Sequence, residues 1–311
     1  MRVIDKDNPK QFNLNSIFVS MQLSVIIVNY NVKNLLRDCL LSVQKAAHSI
    51  DTEIIVVDNA SSDSSIEMLK AEFKDIKLIA NNQNLGFSKA NNQGIAQAEG
   101  QYILLLNPDT LVYENTFEDC LKFSTQTNNC GGIGVQMLDA NNQFLKESKR
   151  GFPTPWASLC RLSFLNKLFP NSALFNGYYL GHLSKDENHQ VEVLAGAFIW
   201  LKKSIIDEVG ELDEAYFMYG EDIDLSYRIQ QAGYQNYYIG TVPILHYKGE
   251  STDKYSFKYV EHFYGAMKIF SKKHYPRTYP LYHLGIQLVM ILHSTYQFFR
   301  RLFVKKKPRT E

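Results

Sequence analysis

A short apolar run that ends in a proline turn, residues 102–110 (YILLLNPDT), constrains the fold of this chain more than any other stretch. Such a run is typical of a strand buried on both faces, as in a parallel sheet covered by helices. Because proline cannot donate a hydrogen bond to a sheet, we expect the strand to end at Asn107. Asp109 would then lie just past a strand's carboxyl end, where open α/β sheets bind ligands. An ordinary turn is the alternative, since asparagine, proline and aspartate all favour turns.

Strand and helix patterns alternate along the first part of the chain. Apolar, β-branched runs predict strands at 23–28, 53–57 and 76–80. Apolar residues at helical spacing predict helices at 32–48, 64–73 and 87–98. The connections are short, so the pattern predicts an α/β fold with a parallel, doubly wound sheet flanked by helices.

Polar side chains follow the carboxyl end of each predicted strand. They are Asn29 and Asn31, Asp58 and Asn59, Asn81 and Asn82, and Asn107 and Asp109. A solubility pattern would not place them all at one edge, so we expect a ligand site there. The sequence has no G-x-G-x-x-G after the first strand and no G-x-x-x-x-G-K-[ST], which disfavours a dinucleotide fold and a P-loop NTPase.

Composition and charge exclude several other classes. The chain has 311 residues and a formal net charge of +1, so nothing favours nucleic acid as a partner. Its four cysteines are widely spaced, which fits a reduced cytosolic compartment and neither a disulfide framework nor a zinc site. Residues 1–21 lack the apolar core of a signal peptide and lack periodicity, so we expect a poorly structured arm.

The second part of the chain is less regular. We predict a helix at 115–127, a strand at 130–138 and an irregular segment at 139–190, which is rich in aromatic residues and prolines. A segment of this length without periodicity is usually functional or mobile. Further patterns predict a strand at 191–202 broken at Gly196, helices at 204–209 and 221–232, and strands at 237–239 and 242–246.

Six stretches in this order resemble the family 2 glycosyltransferases of the GT-A fold. They are SVIIVNYN (24–31), IIVVDNASSD (54–63), NLGFSKANNQGI (84–95), YILLLNPDT (102–110), GAFIWLKKSIIDEVGELDEAYFMYGEDIDLSYRI (196–229) and HYKGEST (246–252). The resemblance is closest to bacterial rhamnosyltransferase-like members. It implies a GT-A catalytic domain at 22–252 with a single Rossmann-like, mostly parallel sheet, followed by C-terminal helices at 253–311.

The resemblance implies a divalent cation, Mg or Mn, bound to the diphosphate of the donor. The family's DxD motif reads Asn107-Pro108-Asp109 here, so the first aspartate is replaced and Asp109 should carry the metal contact. Such a cation would neutralise the leaving diphosphate. His246 occupies the place of a histidine that completes the metal shell in relatives, and a core or surface histidine is the alternative.

The resemblance also implies where the nucleotide sugar binds. The expected donor-binding residues are Asn29, Tyr30, Asn31, Asp58, Asn84, Gly86, Lys89, Asn107 and Asp109. Tyr30 could pack on the base, and Asn31 or Asp58 could hydrogen-bond its edge. Asp58 as a plain turn residue is the alternative, and Asn59 departs from the family's more usual second aspartate.

Glu221-Asp222 matches the family's ED motif, and the resemblance assigns the general base to Asp222. A charged helix N-terminus, favoured by the helix dipole, is the alternative reading. We expect Asp224 to act as a structural cap or to form a salt bridge with Arg228 four residues on. The acceptor side is assigned to Gly196, Ala197 and Phe198, because small residues let a substrate approach the backbone.

The function implied is an inverting transfer of a sugar from a nucleotide-diphosphate donor, dTDP-rhamnose being one candidate, without a covalent intermediate. The acceptor would be a lipid-linked glycan or a polysaccharide of the cell surface. A sugar nucleotidyltransferase is an alternative, but it would want a Gly-rich, basic loop where residues 29–31 stand. A catalytically silent nucleotide-sugar-binding protein is another, but it would not need a base and a metal ligand together.

The C-terminal stretch 280–304 is apolar enough to suggest a membrane span, but its pattern is amphipathic. Polar residues recur at three and four, with the apolar residues on the opposite side, and basic residues follow from Arg300 onward. We therefore expect a helix lying on the inner face of the cell membrane, which makes the protein cytoplasmic and peripheral. The alternatives are a helix packed on the catalytic domain or one used in a homodimer.

Overall fold

The chain folds around one mixed sheet in a computed structural model that describes residues 21–247, 257–280, 283–287, 290, 291 and 295. The strands are β1 (Leu23–Asn29), β2 (Thr52–Asp58), β3 (Lys77–Ala80), β4 (Tyr102–Leu106), β5 (Thr110–Val112), β6 (Cys130–Leu138), β7 (His189–Val191), β8 (Phe198–Lys202) and β9 (Gln235–His246). The α-helices are α1 (Lys33–Ala46), α2 (Ser65–Glu72), α3 (Phe87–Ala96), α4 (Thr116–Gln126), α5 (Pro155–Leu162), α6 (Leu165–Leu168), α7 (Lys203–Val209), α8 (Glu221–Gln231) and α9 (Phe257–His274). Short 3₁₀ turns lie at Lys146–Ser148 and Gly177–Tyr179.

The strand order is β3-β2-β1-β4-β8-β6-β9-β5, with β7 also paired to β9. The first four of these strands run parallel, as their alternation with helices predicts. In the second half, β8 is antiparallel to both of its neighbours, and β5 and β7 are antiparallel to β9. The predicted α/β fold is therefore confirmed, and the parallel arrangement is confined to the first half and the β6–β9 pair.

Burial on both faces explains the uninterrupted apolar runs. In β4, Tyr102, Leu104 and Leu106 belong to one apolar cluster, whereas Ile103 and Leu105 belong to a second cluster on the opposite face. Helix α1 contributes Leu36, Cys39, Leu40 and Val43 to the first cluster, and α3 contributes Ile95 to the second. The strand ends at Leu106, one residue before the expected position.

The prediction of an irregular segment at 139–190 is wrong in part, because the segment contains α5, α6 and the two 3₁₀ turns. Helix α5 has a start signal that the periodicity argument overlooks. The Thr154 hydroxyl accepts a hydrogen bond from the Ala157 amide at 3.2 Å, and Pro155 occupies the first turn. Both features are typical of helix N-termini.

Two strand boundaries also differ from the prediction. The strand expected at 191–202 is two strands, β7 and β8, separated by residues 192–197. The strands expected at 237–239 and 242–246 are one strand, β9, whose pairing shifts register where Val135 faces Ile239 and Gln136 faces Pro243. A shift of this kind bends a strand without ending it.

Helix α9 packs beside the start of α8. Tyr216, Ala266 and Phe270 form a small apolar cluster there. None of the helices within the described residues has both the length and the apolar character needed to cross a membrane. Residues 1–20 and most of 280–304, on which the predicted arm and membrane helix depend, lie outside the described residues.

Candidate active site

The ends of β1 and β2 are joined by a pair of buried polar side chains. Asn29 and Asp58 are opposite each other in the sheet, and both are fully buried. The Asn29 amide donates to the Asp58 carboxylate at 2.8 Å and to the Ser61 hydroxyl at 3.0 Å. The second Asp58 oxygen accepts from the Ser61 amide at 2.8 Å. These bonds fix the loop after β2 against the end of β1.

Tyr30 and Asn31 lie at the rim of the same edge. Asn31 has a left-handed backbone (φ 56°), and its side-chain oxygen accepts from the Ser62 amide at 2.7 Å. The backbone amide of Asn31 donates to the Ser61 hydroxyl at 3.0 Å. The Tyr30 side chain is exposed beside these hydrogen bonds. An exposed aromatic ring on a fixed loop can stack on a flat ligand group.

Asn59 organises the loop between β3 and α3, a role the sequence did not reveal. It is buried, and its amide nitrogen donates to the Gly86 carbonyl at 3.1 Å and to the Asn84 side-chain oxygen at 3.3 Å. Its oxygen accepts from the Leu85 amide at 3.2 Å and the Asn81 amide at 3.1 Å. Only an amide side chain both donates and accepts in this way, so the replacement of aspartate by asparagine here has a structural reason.

The turn at Gly86 connects this loop to the segment before α8. Gly86 has φ +87°, and a Cβ atom there would lie 2.6 Å from the Phe217 carbonyl oxygen. The next residue, Phe87, donates its amide to the same carbonyl at 2.7 Å. Only glycine fits such a close approach at positive φ. Lys89, in the first turn of α3, has an exposed side chain.

Asp109 and His246 are brought together by the pairing of β5 with β9. Thr110 is opposite His246 in this pair, and the Tyr247 amide donates to the Asp109 carbonyl at 2.8 Å. The Asp109 carboxylate lies 3.3 Å from His246 Nε2, and both side chains are buried. Within the described residues, Asp109 Oδ1 and His246 Nδ1 have no hydrogen-bond partner.

This donor set fits a divalent cation that is shared with a substrate. The described residues contain no group of three or more His, Cys, Asp or Glu side chains placed to hold a metal alone. Mg²⁺ bound with a nucleotide usually has one or two carboxylate ligands and takes the others from phosphates and water. Asp109 Oδ1, which lies 3.3 Å from His246 Nε2 without forming a hydrogen bond, and the adjacent imidazole match that requirement.

Asp222 forms a buried ion pair with Arg150, which the sequence did not identify. One Asp222 oxygen accepts from the Arg150 guanidinium and from the Gly196 amide at 3.1 Å, and the other accepts from the Ile223 amide at 2.8 Å. Arg150 also donates to the Leu194 carbonyl at 2.7 Å. Burial lowers the pKa of Arg150, but the charge of Asp222 and other nearby groups raises it by more, so Arg150 stays a cation.

Glu221 has a different environment from its neighbour. It is buried, and its Oε2 atom has no hydrogen-bond partner in the described part of the chain. Burial, and then the charge of Asp222, raise the pKa of Glu221 well above its usual value. A Cβ atom at Gly196 would lie 3.6 Å from Asp222 Oδ2 and 3.7 Å from Glu221 Oε1, so both carboxylates face this glycine.

The residues assigned to the acceptor side differ in accessibility. Gly196 is partly exposed next to the two carboxylates, whereas the Ala197 and Phe198 side chains are buried in the core. The Ala197 carbonyl accepts from the Asn107 amide at 3.0 Å. The turn at Gly196 and Ala197 therefore connects the loop that carries Asp109 to Asp222.

Asp224 points away from this turn and binds the C-terminal helix. The predicted salt bridge to Arg228 is confirmed at 2.8 Å. Lys273 and His274 of α9 also contact the Asp224 carboxylate, at 2.9 Å and 2.6 Å. Hydrogen bonds from these three partners outweigh the effect of burial and lower the pKa of Asp224 to about 2.

Comparison with known proteins identifies the family of the chain. The sequence profile of the family "Glycosyl transferase family 2" matches residues 24–210. The N-acetylglucosaminyl-diphospho-decaprenol L-rhamnosyltransferase of Mycobacterium tuberculosis is 26% identical over 246 residues, which cover 75% of this chain and 78% of that protein.

Two solved structures share the fold. The mannosyltransferase PcManGT of Pyrobaculum calidifontis, in complex with GDP-Man and Mn2+, superposes with a TM-score of 0.55 at 14% identity, covering 92% of this chain and 76% of that one. GalNAc-T7 with UDP, GalNAc and Mn2+ superposes with a TM-score of 0.55 at 17% identity and covers 80% of this chain. The chain spans about half, 47%, of the length of GalNAc-T7.

Proposed function

Because the chain belongs to glycosyl transferase family 2, we propose that it transfers a sugar, with inversion, from a nucleoside-diphosphate sugar to a lipid-linked glycan or a polysaccharide. The catalytic domain in this proposal is residues 22–252. The name of the mycobacterial relative, which specifies transfer of L-rhamnose to a diphospho-decaprenol acceptor, supports a rhamnosyl donor and a lipid-linked acceptor. Our candidate for the donor is dTDP-rhamnose.

One arrangement carries the proposal. The Asn107 amide donates to the Ala197 carbonyl at 3.0 Å, and the adjacent Gly196 amide donates to Asp222 at 3.1 Å. Through two hydrogen bonds, this turn holds the loop that carries Asp109 next to a carboxylate on α8. A sugar transferase needs such proximity, because the bond to the diphosphate breaks at the carbon that the acceptor attacks.

The residues have distinct tasks in this mechanism. Asp109 and His246 would hold a divalent cation, which supplies positive charge to the departing diphosphate when it is bound. Asp222 accepts the proton of the acceptor hydroxyl as its oxygen bonds to the anomeric carbon. The bond from that carbon to the phosphate oxygen breaks, and the nucleoside diphosphate leaves. Arg150 positions Asp222 and keeps it from turning away from the acceptor.

Donor contacts would come from the first two strand ends and the turn before α3. Tyr30 is placed to stack on the base, and the buried side-chain oxygen of Asn29, which has no partner among the described residues, is the acceptor atom that the Asn29–Asp58 pair leaves for its edge. Gly86 and Asn84 would flank the sugar diphosphate. Lys89, which is exposed in the first turn of α3, would contact the phosphates.

A nucleotide-sugar panel tests the proposal. The full-length chain is incubated with dTDP-rhamnose and with UDP- and GDP-sugars, in Mn²⁺ or in EDTA, and product nucleotides are separated. We expect slow metal-dependent release of the nucleoside diphosphate from one donor, accelerated by an N-acetylglucosaminyl-diphospho-prenol acceptor. Release of pyrophosphate from a nucleoside triphosphate, with no diphosphate release from any donor, would contradict the proposal.

Peripheral membrane association through residues 280–304 belongs to the same proposal. In the described part of this stretch, Ile286 packs against Val260 and Tyr264 of α9, while Leu284 and Ile291 are exposed. Exposed leucine and isoleucine on the outer side support a helix that lies on the inner face of the membrane. Truncation after Tyr279 should reduce flotation with anionic vesicles. If the truncated chain floats as well as the full-length chain but no longer forms a dimer, the helix would be a dimer contact and not a membrane anchor.

A further inference from the structure

A patch of exposed apolar side chains lies on α5, α6 and the loop that follows them. Its members, with their exposed fractions, are Trp156 (45%), Leu159 (53%), Phe164 (58%), Leu168 (70%), Phe169 (48%) and Leu174 (60%). We call these six residues the α5–α6 patch. Single exposed apolar residues are ordinary, but a cluster of large ones marks an interaction surface.

The patch has a fixed shape because one partly buried ring, Phe175, contacts two of its members. Phe175 lies 5.0 Å from Phe169 and 6.2 Å from Trp156 between ring centroids. The Trp156 indole also donates to the Leu174 carbonyl at 2.8 Å. The apolar side chains are therefore presented by a small folded unit and not by a loose loop.

Positive charge flanks the patch, and the segment that carries it has no acidic side chain, although Glu192 after β7 lines the pocket beside Trp156 and Leu174. Between Glu147 and Asp186 the sequence has no aspartate or glutamate. Arg161 and Lys167 are exposed on α5 and α6, and the Lys167 ammonium lies 4.9 Å from the centre of the Phe164 ring. A protein partner with an apolar groove would not require this one-sided charge, whereas an anionic lipid surface attracts it.

Both ends of the segment that carries the patch meet at the candidate active site. The Gly151 amide donates to the Tyr178 carbonyl at 2.9 Å, which closes the segment into a loop. Arg150, directly before it, binds Asp222. The segment that carries the patch is therefore anchored at both ends beside the proposed base.

We propose that the α5–α6 patch is a membrane-docking surface that inserts its apolar side chains among the headgroups of an anionic bilayer. Amphipathic elements with aromatic and leucine side chains flanked by Lys and Arg bind membranes in this way. The surface would hold the catalytic turn near the headgroup of a lipid-linked acceptor. In this respect the inference rests on the proposed function, but the binding itself can be measured without turnover.

Vesicle flotation of the full-length chain tests this surface. Vesicles of phosphatidylcholine with and without phosphatidylglycerol are the probe, and we expect flotation with the anionic ones. Leu168→Asp should lower the partition coefficient about tenfold, since a leucine is lost from the apolar layer. Lys167→Gln should lower it roughly fivefold with anionic vesicles only. The matched control is Leu41→Asp, an exposed leucine of α1 outside the patch, which should leave flotation unchanged.

Nucleoside diphosphate release is measured in the same samples, so that failure of the proposed function is recognised separately. A native chain that does not float, or a Leu168→Asp variant that floats as well as the native chain, would overturn the docking surface even if turnover is normal. A dimer in lipid-free solution that Leu168→Asp abolishes, without an effect on flotation, would assign the patch to a second copy of the chain. An unchanged thermal midpoint of Leu168→Asp excludes misfolding as the cause of lost flotation.

Discussion

The Asn59→Asp substitution should destabilise the protein, although it introduces the residue that the family resemblance leads us to expect at this position. The Asn59 amide nitrogen donates to the Gly86 carbonyl at 3.1 Å and to the Asn84 side-chain oxygen at 3.3 Å. An ionised carboxylate cannot donate, so it would face two acceptor oxygens without a proton between them. The side chain is 2% exposed, which leaves water little access to relieve the contact.

The magnitude follows from these two lost bonds. Each is worth about 1 kcal/mol net, and the buried carboxylate oxygen that replaces the donor faces no hydrogen-bond donor, which costs about 1–3 kcal/mol more. We therefore expect the free energy of unfolding to fall by roughly 3 kcal/mol at pH 8. Burial and the facing carbonyl oxygens raise the pKa of the new carboxyl group, so its protonated form can donate one bond again at lower pH. The loss of stability should then shrink as the pH is lowered.

Urea unfolding of the native chain and the variant at pH 5.5 and pH 8 measures this difference. The control is Asn82→Asp, which places the same charge change on an exposed residue of the same loop. Its effect should stay within about 0.5 kcal/mol. If Asn59→Asp is as stable as the control at pH 8, the amide donor is not what holds the 81–86 loop, and the reasoning is wrong.

Four further substitutions address the site. Asp222→Asn should keep donor binding and lower the rate of transfer roughly 10²–10⁴-fold; near-native turnover of the purified variant would exclude it as the base. Asp109→Ala should abolish the Mn²⁺-dependent part of donor affinity in calorimetry, and an unchanged metal dependence would place the metal elsewhere. The pKa of Asp224 is lowered from 3.8 to about 2, so its contribution to the free energy of unfolding is present above pH 3.8 and is lost as the pH falls towards 2. In urea unfolding, Asp224→Asn should therefore cost about 2 kcal/mol at pH 7 and less at pH 2. Because the pKa of Glu221 is raised, the free energy of unfolding of the native chain should fall as the pH rises above 4.5. The Glu221→Gln variant should lose less stability over the same pH range. Equal losses in the native chain and the variant would contradict this reasoning.

The first half of the fold could be predicted because its information is local. Apolar runs that are buried on both faces mark β1, β2 and β4, and short connections leave few ways to arrange them. The place of β8 is not local information. It pairs with β4 only after the excursion through residues 139–197, and no periodicity specifies a partner at that distance.

The candidate site divides in the same way. Asp109 and Asp222 stand in recognisable motifs, but Arg150 contacts Asp222 across 72 positions and belongs to no motif. Asn59 was visible as a departure from the usual aspartate, yet only the folded loop reveals why an amide is needed. Lys273 and His274 reach Asp224 from α9, and a count of charges along α8 gives no indication of them.

The first turn of α8 carries three carboxylates, and their different partners give them different roles. The helix dipole favours all three equally, so it does not explain their differences. Asp222 is held by Arg150 and the Gly196 amide at the catalytic turn, whereas Asp224 is held by cations of α8 and α9 on the other side. Loss of the Asp224 contacts should therefore change stability more than turnover. Loss of Arg150 should change turnover even in variants that remain folded, because the base loses the partner that orients it beside Gly196.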